Sequence, residues 1–142
     1  MIKKIVGIEK GQSADDTVLL SWFDMKKPNL SAVTKKGVEF ILKIKDFDEG
    51  DTFIAEDGYR IKVEIKKEEL FVFKFQNALD FAKAAYEIGN RHQPICIDKL
   101  IITVLNDSSL HDIVHALSHN KSVSVQKISG VFRQNAIIRH AH

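Results

Sequence analysis

The hydrophobic pattern of the chain changes at residues 66–69, Lys-Lys-Glu-Glu, and this change is the strongest constraint on its fold. Before it, apolar residues come in short runs, and none of them has the 3.6-residue period of an amphipathic helix. After it, runs typical of strands alternate with runs typical of helices. The pattern therefore predicts an α+β chain, with an N-terminal all-β domain at residues 1–68 and a second domain at residues 69–142.

Short strands broken at intervals of roughly ten residues predict a sandwich or small barrel for the first domain. The predicted strands are residues 4–8, 17–23, 32–34, 38–44, 52–56 and 59–65. Asp57 and Gly58 lie between the last two strands, and an Asp-Gly pair is typical of the type I′ turn, in which two residues have positive φ. We therefore expect a β-hairpin with this turn.

The second domain is expected to follow the order β-α-β-β-α-β of ferredoxin-like folds. Its predicted strands are residues 70–75, 95–97, 100–105 and 122–128, and its first helix is residues 78–88 with Asn77 as the N-cap. A second helix is expected to begin after a cap near Asp107 or Ser108. The positions expected to face the sheet are Ala78, Phe81, Ala82 and Ala85, with Tyr86 beside them, in the first helix and Leu110, Ile113, Val114 and Leu117 in the second.

The composition excludes two kinds of site, and the charge does not by itself choose a partner. A net charge of +2 produces no strong attraction toward nucleic acid or anionic lipid. The one cysteine, Cys96, rules out an internal disulfide and a Cys-x-x-Cys zinc site, and we expect it to be a buried thiol. No signal peptide and no run of roughly 20 apolar residues is evident. We therefore expect a cytoplasmic protein without a nucleic-acid or membrane partner.

A constrained connector, Gly-Asn-Arg-His-Gln-Pro at residues 89–94, follows the first predicted helix. We expect Gly89 to take the left-handed conformation that ends a helix, and Pro94 to prevent the helix from resuming. His92 would then be held on a short loop, where its imidazole is available to a ligand. The alternative is a loop histidine with a structural role or none.

All six histidines lie in the second predicted domain, at His92, His111, His115, His119, His140 and His142. Imidazole favours nickel, copper and zinc over Mg²⁺ or Ca²⁺, so this distribution points to a transition metal if it points to any. Three of them are spaced four residues apart, from His111 to His119, and two could chelate an ion as in zinc-binding helices. An ordinary polar helix face is the favoured alternative. His140 and His142 alternate at the C-terminus, where both could reach one ion; a tag remnant or a disordered end is the alternative.

Two other functions are weighed against a metal site. Phe71, Phe73 and Phe75 alternate on a predicted strand, as in an RNA recognition motif, but the aromatic partner stretch of that motif is missing, and a packed core is the favoured interpretation. No phosphate loop, nucleophile elbow or pair of catalytic carboxylates is evident, so we expect no enzyme. The rivals that remain are an RNA-binding ferredoxin-like module, a metal-dependent enzyme, and a carrier or sensor of zinc or copper.

Residues 84–94, Ala-Ala-Tyr-Glu-Ile-Gly-Asn-Arg-His-Gln-Pro, resemble the signature of the urease accessory protein UreE family. Residues 49–52 and 55–58 are similar to the Asp-Gly-Asp and Glu-Asp-Gly stretch of that family. In domain order the resemblance covers nearly the whole chain. It implies a peptide-binding-like β domain that docks partners, followed by a ferredoxin-like metal-binding domain with a flexible C-terminal tail.

The resemblance also implies a function, a nickel metallochaperone that delivers Ni²⁺ to apo-urease. It implies a homodimer in which His92 of each chain meets its mate, with His140 and His142 adding ligands, and it implies the urease accessory GTPase and the apo-urease complex as partners. Because imidazole also binds Zn²⁺ and Cu²⁺, these ions are alternatives at the same site. Some members have a His-x-His pair where Asn106 and Ser108 stand, so that secondary site is expected to be missing.

Overall fold

A computed structural model of the chain describes residues 1–11, 13–43 and 46–135. The chain forms two compact units, with the division between Lys66 and Lys67. Each of the two units contains its own sheet, and three α-helices are present among the described residues, so the predicted α+β class is confirmed. None of these described helices is both long and apolar enough to cross a membrane.

The first unit is built on a six-stranded sheet in the order β2-β6-β5-β1-β4-β3. Neighbouring strands are antiparallel except in two pairs, β1 with β4 and β2 with β6, which are parallel. Phe40, Phe53 and Ile61 are fully buried in its core. Its elements are β1 Lys3–Lys10, β2 Asp16–Leu20, α1 Trp22–Lys26, β3 Leu30–Val33, β4 Glu39–Leu42, β5 Asp51–Ala55 and β6 Arg60–Ile65.

The first unit is not all β, because α1 begins where a strand was expected to continue to residue 23. Ser21 and Asp24 form a capping box: the Asp24 N–H donates to Ser21 Oγ at 3.1 Å, and the Ser21 N–H donates to Asp24 Oδ2 at 3.0 Å. Such a box satisfies backbone donors that the first turn of a helix leaves unpaired. The expected strand therefore ends at Leu20, and Trp22 turns into the core, where it is 8% exposed.

The predicted hairpin is present between β5 and β6, but its turn is not type I′. Of the two residues expected to have positive φ, only Gly58 does, at 85°. The Ala55 N–H donates to Tyr59 O, and the Gly58 N–H donates to Ala55 O, both at 2.9 Å. The loop therefore has three residues, and a three-residue loop needs the left-handed conformation only at its last position.

The second unit is a four-stranded antiparallel sheet in the order β10-β7-β9-β8. Two helices pack against it around a core that includes Phe73, Ile88, Ile102 and Ile113. Its elements are β7 Glu68–Phe75, α2 Ala78–Asn90, β8 Cys96–Asp98, β9 Ile101–Leu105, a 3-10 turn Ser108–Leu110, α3 His111–Ser118 and β10 Val123–Gly130.

The helix α2 faces the sheet with a different stripe from the expected one. Its buried residues are Ala84 and Ile88, with Phe81 and Ala85 partly buried beside them. The expected core positions Ala78 and Ala82 are exposed, and so is Tyr86. Ile88 is larger than any alanine, and burying more apolar area is more stabilising, so the helix is rotated toward the side that carries Ile88.

Candidate metal centre

The helix α2 ends in a motif that fixes the backbone of His92. The His92 N–H donates to Gly89 O at 3.0 Å, and the Gln93 N–H donates to Ile88 O at 3.5 Å. These are the two hydrogen bonds of a Schellman motif, in which the residue after the C-cap is left-handed. His92 occupies that position, with φ at 56°. The helix therefore runs past Gly89 to Asn90, and the expectation that Gly89 is the left-handed residue is wrong.

A histidine in this conformation is unusual, because side chains with a Cβ disfavour positive φ. The position is exposed, and within the described part of the chain the His92 ring makes no hydrogen bond or ion pair. Strained backbone at a position whose side chain has no structural partner points to a use for that side chain. Among the described residues, His92 therefore presents an exposed imidazole without a partner at the corner after α2, and its role as a metal ligand stays a prediction.

An ion pair next to His92 joins this corner to α3. The Arg91 guanidinium donates two hydrogen bonds to the Asp112 carboxylate, one of them at 2.7 Å, and a third to the Ser109 carbonyl oxygen at 2.6 Å. Arg91 and Asp112 thus join the end of α2 to the start of α3. The Arg91 hydrogen bonds lower the pKa of Asp112 to about 2. No local sequence pattern predicts this pair, because Arg91 and Asp112 lie 21 residues apart.

The exposed face of α2 leads along the helix to His92. Leu79 is 64% and Tyr86 is 68% exposed, and Ala82 lies between them, one helical turn from each. Gly89 continues this face, and a Cβ added there would meet nothing within 4 Å. Within one chain, then, a contiguous apolar strip lies uncovered beside the candidate ligand.

His111 is held by a chain of hydrogen bonds. The Asn106 amide donates to Glu69 Oε2 at 2.7 Å, which leaves its oxygen to accept from the His111 ring at 3.3 Å. His111 Nε2 therefore carries a proton in this arrangement. Asn106 stands where the resemblance sets a histidine in some relatives, and here it binds His111 instead.

The other two helix histidines lie next to each other. The ring centroids of His115 and His119 are 4.5 Å apart, and His119 Nδ1 lies 2.8 Å from the His115 carbonyl oxygen. His111 does not join them: among the described residues, no three His, Cys, Asp or Glu side chains are grouped so that they could hold one ion. His140 and His142 lie outside the described residues.

Cys96 is poorly suited to join a metal site. Its side chain is partly exposed, and burial, followed by the charge of Asp98, raises the pKa of its thiol. A raised pKa leaves less of the thiolate that binds metals. Cys96 is therefore a half-buried thiol rather than the buried one that was expected.

The three phenylalanines of β7 form core rather than a surface for bases. Phe73 is fully buried and Phe75 is 6% exposed, while Phe71 stacks on Phe73 with its ring centroid 6.4 Å away. Base stacking needs exposed rings. The packing of Phe73 and Phe75 removes the observation on which an RNA-binding function rested.

Comparisons with known proteins agree with the resemblance at residues 84–94. A family model described as "UreE urease accessory protein, C-terminal domain" matches residues 68–142. The urease accessory protein UreE of Aliarcobacter butzleri is 47% identical over 144 residues, which cover 100% of this chain and 97% of that protein. Its counterpart in Actinobacillus pleuropneumoniae is 25% identical over 88% of this chain and 69% of its own, and that of Lysinibacillus sphaericus is 23% identical over 100% and 99%. The chain therefore belongs to the urease accessory protein UreE family.

Proposed function

We propose that this chain is a nickel metallochaperone, which binds Ni²⁺ and delivers it to apo-urease while the urease active site is assembled. The observation that carries the proposal is His92. Its exposed imidazole makes no hydrogen bond in the described part of the chain, and its backbone is left-handed. Membership in a family of urease accessory proteins supports a role in urease maturation. We propose no catalytic activity.

One imidazole does not make a metal site, so we propose that two chains share the ion. A two-fold axis near His92 would double this ligand. The uncovered strip of Leu79, Ala82 and Tyr86 lies on α2, just before His92, and gives a second copy an apolar surface to bury. Gly89 lies on the same face without a side chain, which allows a close approach of the partner helix near the ligand.

The remaining ligands of the proposed site are His140 and His142, from the C-terminal segment that the structure does not describe. Neutral imidazole is a good ligand for Ni²⁺, Zn²⁺ and Cu²⁺, and their affinities for the same nitrogen donors rise toward Cu²⁺. We therefore propose nickel as the ion carried, with Zn²⁺ or Cu²⁺ as competitors at the same site. A shell that is partly supplied by a chain end suits a carrier that must release its ion.

We propose a separate role for each of the two units. Residues 1–68 would dock partners as a peptide-binding-like domain, and residues 69–142 would bind the metal as a ferredoxin-like domain, a role that the element order β-α-β-β-α-β of the second unit supports. The urease accessory GTPase and the apo-urease complex are the proposed partners. A cytoplasmic location is supported by the unpaired Cys96, since a reducing compartment keeps thiols free.

A calorimetric Ni²⁺ titration of three proteins, with solution mass measured on each, tests the proposal. The three are the wild type and the variants His92→Gly and His111→Gln. We expect wild type to bind about one tightly held ion per two chains, because each chain supplies one His92. His92→Gly removes the imidazole but accepts the left-handed backbone, so it should lose this ion and stay folded.

The control variant, His111→Gln, removes a different exposed imidazole from the same unit and should keep the tightly held ion. If His92→Gly binds nickel as wild type does, the proposed site is wrong. Wild type and His111→Gln can also be given Ni²⁺ together with Zn²⁺ or Cu²⁺ at equal concentrations. If both proteins bind the competing ion more tightly, the site stands, but nickel is not the ion that it selects.

A further inference from the structure

Two histidines near the end of α3 form a pair that the proposed carrier site does not use. His115 lies on the last turn of the helix and His119 is its C-cap residue. Their ring centroids are 4.5 Å apart with 50° between the ring planes, and both side chains are exposed. Residues four apart on a helix point to the same side, so two imidazoles at this spacing can reach one ion.

The hydrogen bond of His119 decides which of its nitrogens is free. A carbonyl oxygen only accepts, so His119 Nδ1 must carry the proton that it donates to His115 O over 2.8 Å. In a neutral ring, Nε2 is then left with its lone pair. Metal-binding histidines commonly donate their second N–H to a backbone carbonyl, which fixes the ring and makes the other nitrogen a better ligand. His119 already has this arrangement without an ion.

The way in which α3 ends makes this hydrogen bond available. In a continuing helix the His115 carbonyl would accept the backbone N–H of His119. Here the His119 N–H donates instead to the carbonyls of Ala116 and Leu117, which tightens the last turn. The His115 carbonyl is thereby left to accept the ring of His119.

The ring of His115 is free to complete the pair. Within the described residues, neither of its nitrogens makes a hydrogen bond, and its one ring contact is with His119. The C-terminal end of a helix also favours positive charge, because the backbone dipoles leave a partial negative charge there. His111, by contrast, donates its Nε2 proton to Asn106, and it lies one turn before His115 and two turns before His119.

We propose that His115 and His119 form a second metal site, in which two imidazoles chelate one divalent transition-metal ion of the Ni²⁺, Cu²⁺ or Zn²⁺ class. The site lies within one chain, so it does not depend on the site at His92 or on a dimer. Two protein donors leave the other coordination positions to water, so the ion exchanges readily and is held more weakly than at a site with more protein ligands.

The test is a Ni²⁺ titration, repeated with Cu²⁺, of the full chain in the His92→Gly background. To this parent are added His115→Gln, His119→Gln or the matched control His111→Gln. Glutamine keeps a good helix propensity at an exposed position and removes only the imidazole. We expect the number of ions bound per chain to fall by about one in the first two variants and to stay unchanged in the control, because one imidazole cannot chelate.

Ring proton signals in the NMR spectrum give a second readout. With Zn²⁺ as the probe, the signals of His115 and His119 should shift together while those of His111 stay in place. The proposal is overturned if the stoichiometry of the His115→Gln and His119→Gln proteins equals that of the parent, or if His111→Gln loses an ion as they do. Because the parent lacks His92, none of these outcomes depends on the carrier site.

Discussion

His92 accepts a backbone conformation that glycine would adopt more easily. The left-handed region costs a residue with a Cβ about 1–2 kcal/mol, since the Cβ approaches a carbonyl oxygen. The cost is met by the hydrogen bonds that end α2, including the one from its own N–H to Gly89 O. The identity of this residue therefore lowers stability, and we attribute its presence to the imidazole.

The left-handed backbone of His92 predicts that two substitutions there differ in stability. His92→Gly should raise the free energy of unfolding relative to His92→Ala by about 1 kcal/mol, because glycine relieves the positive φ and alanine does not. Urea unfolding followed by circular dichroism measures the difference. Both variants lack the imidazole, so both should lose the proposed nickel site. Equal stabilities would mean that the position is not left-handed in solution.

Asp16 is a second residue with an unusual environment. Asp16 is 5% exposed, and its carboxylate accepts hydrogen bonds from the Thr34 and Tyr59 hydroxyls and from the N–H groups of Thr17 and Lys36. Burial alone would raise the pKa of Asp16, but these hydrogen bonds outweigh it and hold the pKa below its ordinary value of 3.8. The ionised form is thus the one that the fold favours.

The direction of this shift gives a stability prediction. A folded-state pKa below the unfolded value contributes stability that is present above about pH 4 and is lost as the pH falls through the folded pKa. At pH 7, Asp16→Asn should cost about 1–3 kcal/mol, because an amide presents N–H groups to partners that donate. The cost should shrink as the pH falls below about 4 and through the folded pKa of Asp16. Tyr59→Phe, which removes one donor, should show a smaller effect with the same pH trend, and an Asp16→Asn cost that does not vary with pH would contradict the prediction.

At the scale of elements, strands were easier to predict than helix faces and turns. The strands of both sheets lie within a few residues of their predicted positions because alternating apolar runs leave few other solutions. The rotation of α2 was missed because alanines occur around the helix and are nearly neutral in burial, so the single Ile88 decided it. The capping box of α1, at Ser21 and Asp24, is present in the sequence, but it overlaps an apolar run that predicts a strand.

The candidate site was predictable only in part, for a related reason. His92 stands out from its place after an amphipathic helix, but the exact residue that becomes left-handed depends on which carbonyls accept the last hydrogen bonds. The link of Arg91 to Asp112 depends on tertiary packing of two helices, which no local pattern encodes.

The ion pair of Arg91 with Asp112, here called the clamp, joins α2 to α3 and predicts how the proposed metal site responds to a change outside it. Asp112→Asn removes the charge that holds Arg91 and loosens the corner that carries His92. We expect a few-fold loss of nickel affinity with unchanged stoichiometry, less than the about 10–100-fold typical when a direct partner of a metal ligand is lost. Calorimetry measures it, and the control is Asp107→Asn, at the cap of the 3-10 turn before α3, where the side chain makes no ion pair with Arg91. A complete loss of binding would mean that Asp112 is itself a ligand.

For the whole molecule, association and metal binding should be linked. Tyr86→Glu sets a charge in the exposed strip of α2, so we expect a dimer to dissociate and the tightly held nickel ion to be lost with it. Sedimentation at several protein concentrations, with and without Ni²⁺, measures both. Val33→Glu is the matched control, since Val33 is similarly exposed at 57% but belongs to the first unit. Nickel binding that survives in a monomeric Tyr86→Glu protein would contradict a shared ion.

The pH dependence of the proposed nickel binding is also a property of the whole molecule. Ligation requires neutral imidazole, so nickel binding should weaken as the pH falls through about 6.5, the reference value for histidine. The clamp does not contribute to this loss, because the pKa of Asp112 is about 2 and its carboxylate stays charged throughout. Nickel titrations at pH 5, 6 and 7.5 test the trend, and equal affinity at pH 5 and 7.5 would rule out histidine ligands.

The pairing of β7 with β10 sets the time at which the second unit of a newly made chain can complete its sheet. These strands pair over their whole lengths, Glu68–Phe75 with Val123–Gly130, and both α2 and His92 lie between them in sequence. Contacts between distant segments form late, because a long loop must be closed first. During synthesis β7 therefore waits with one edge unpaired until β10 is made. The sheet of the second unit is complete only then, although the hydrogen bonds that hold His92 are made by residues that precede β10.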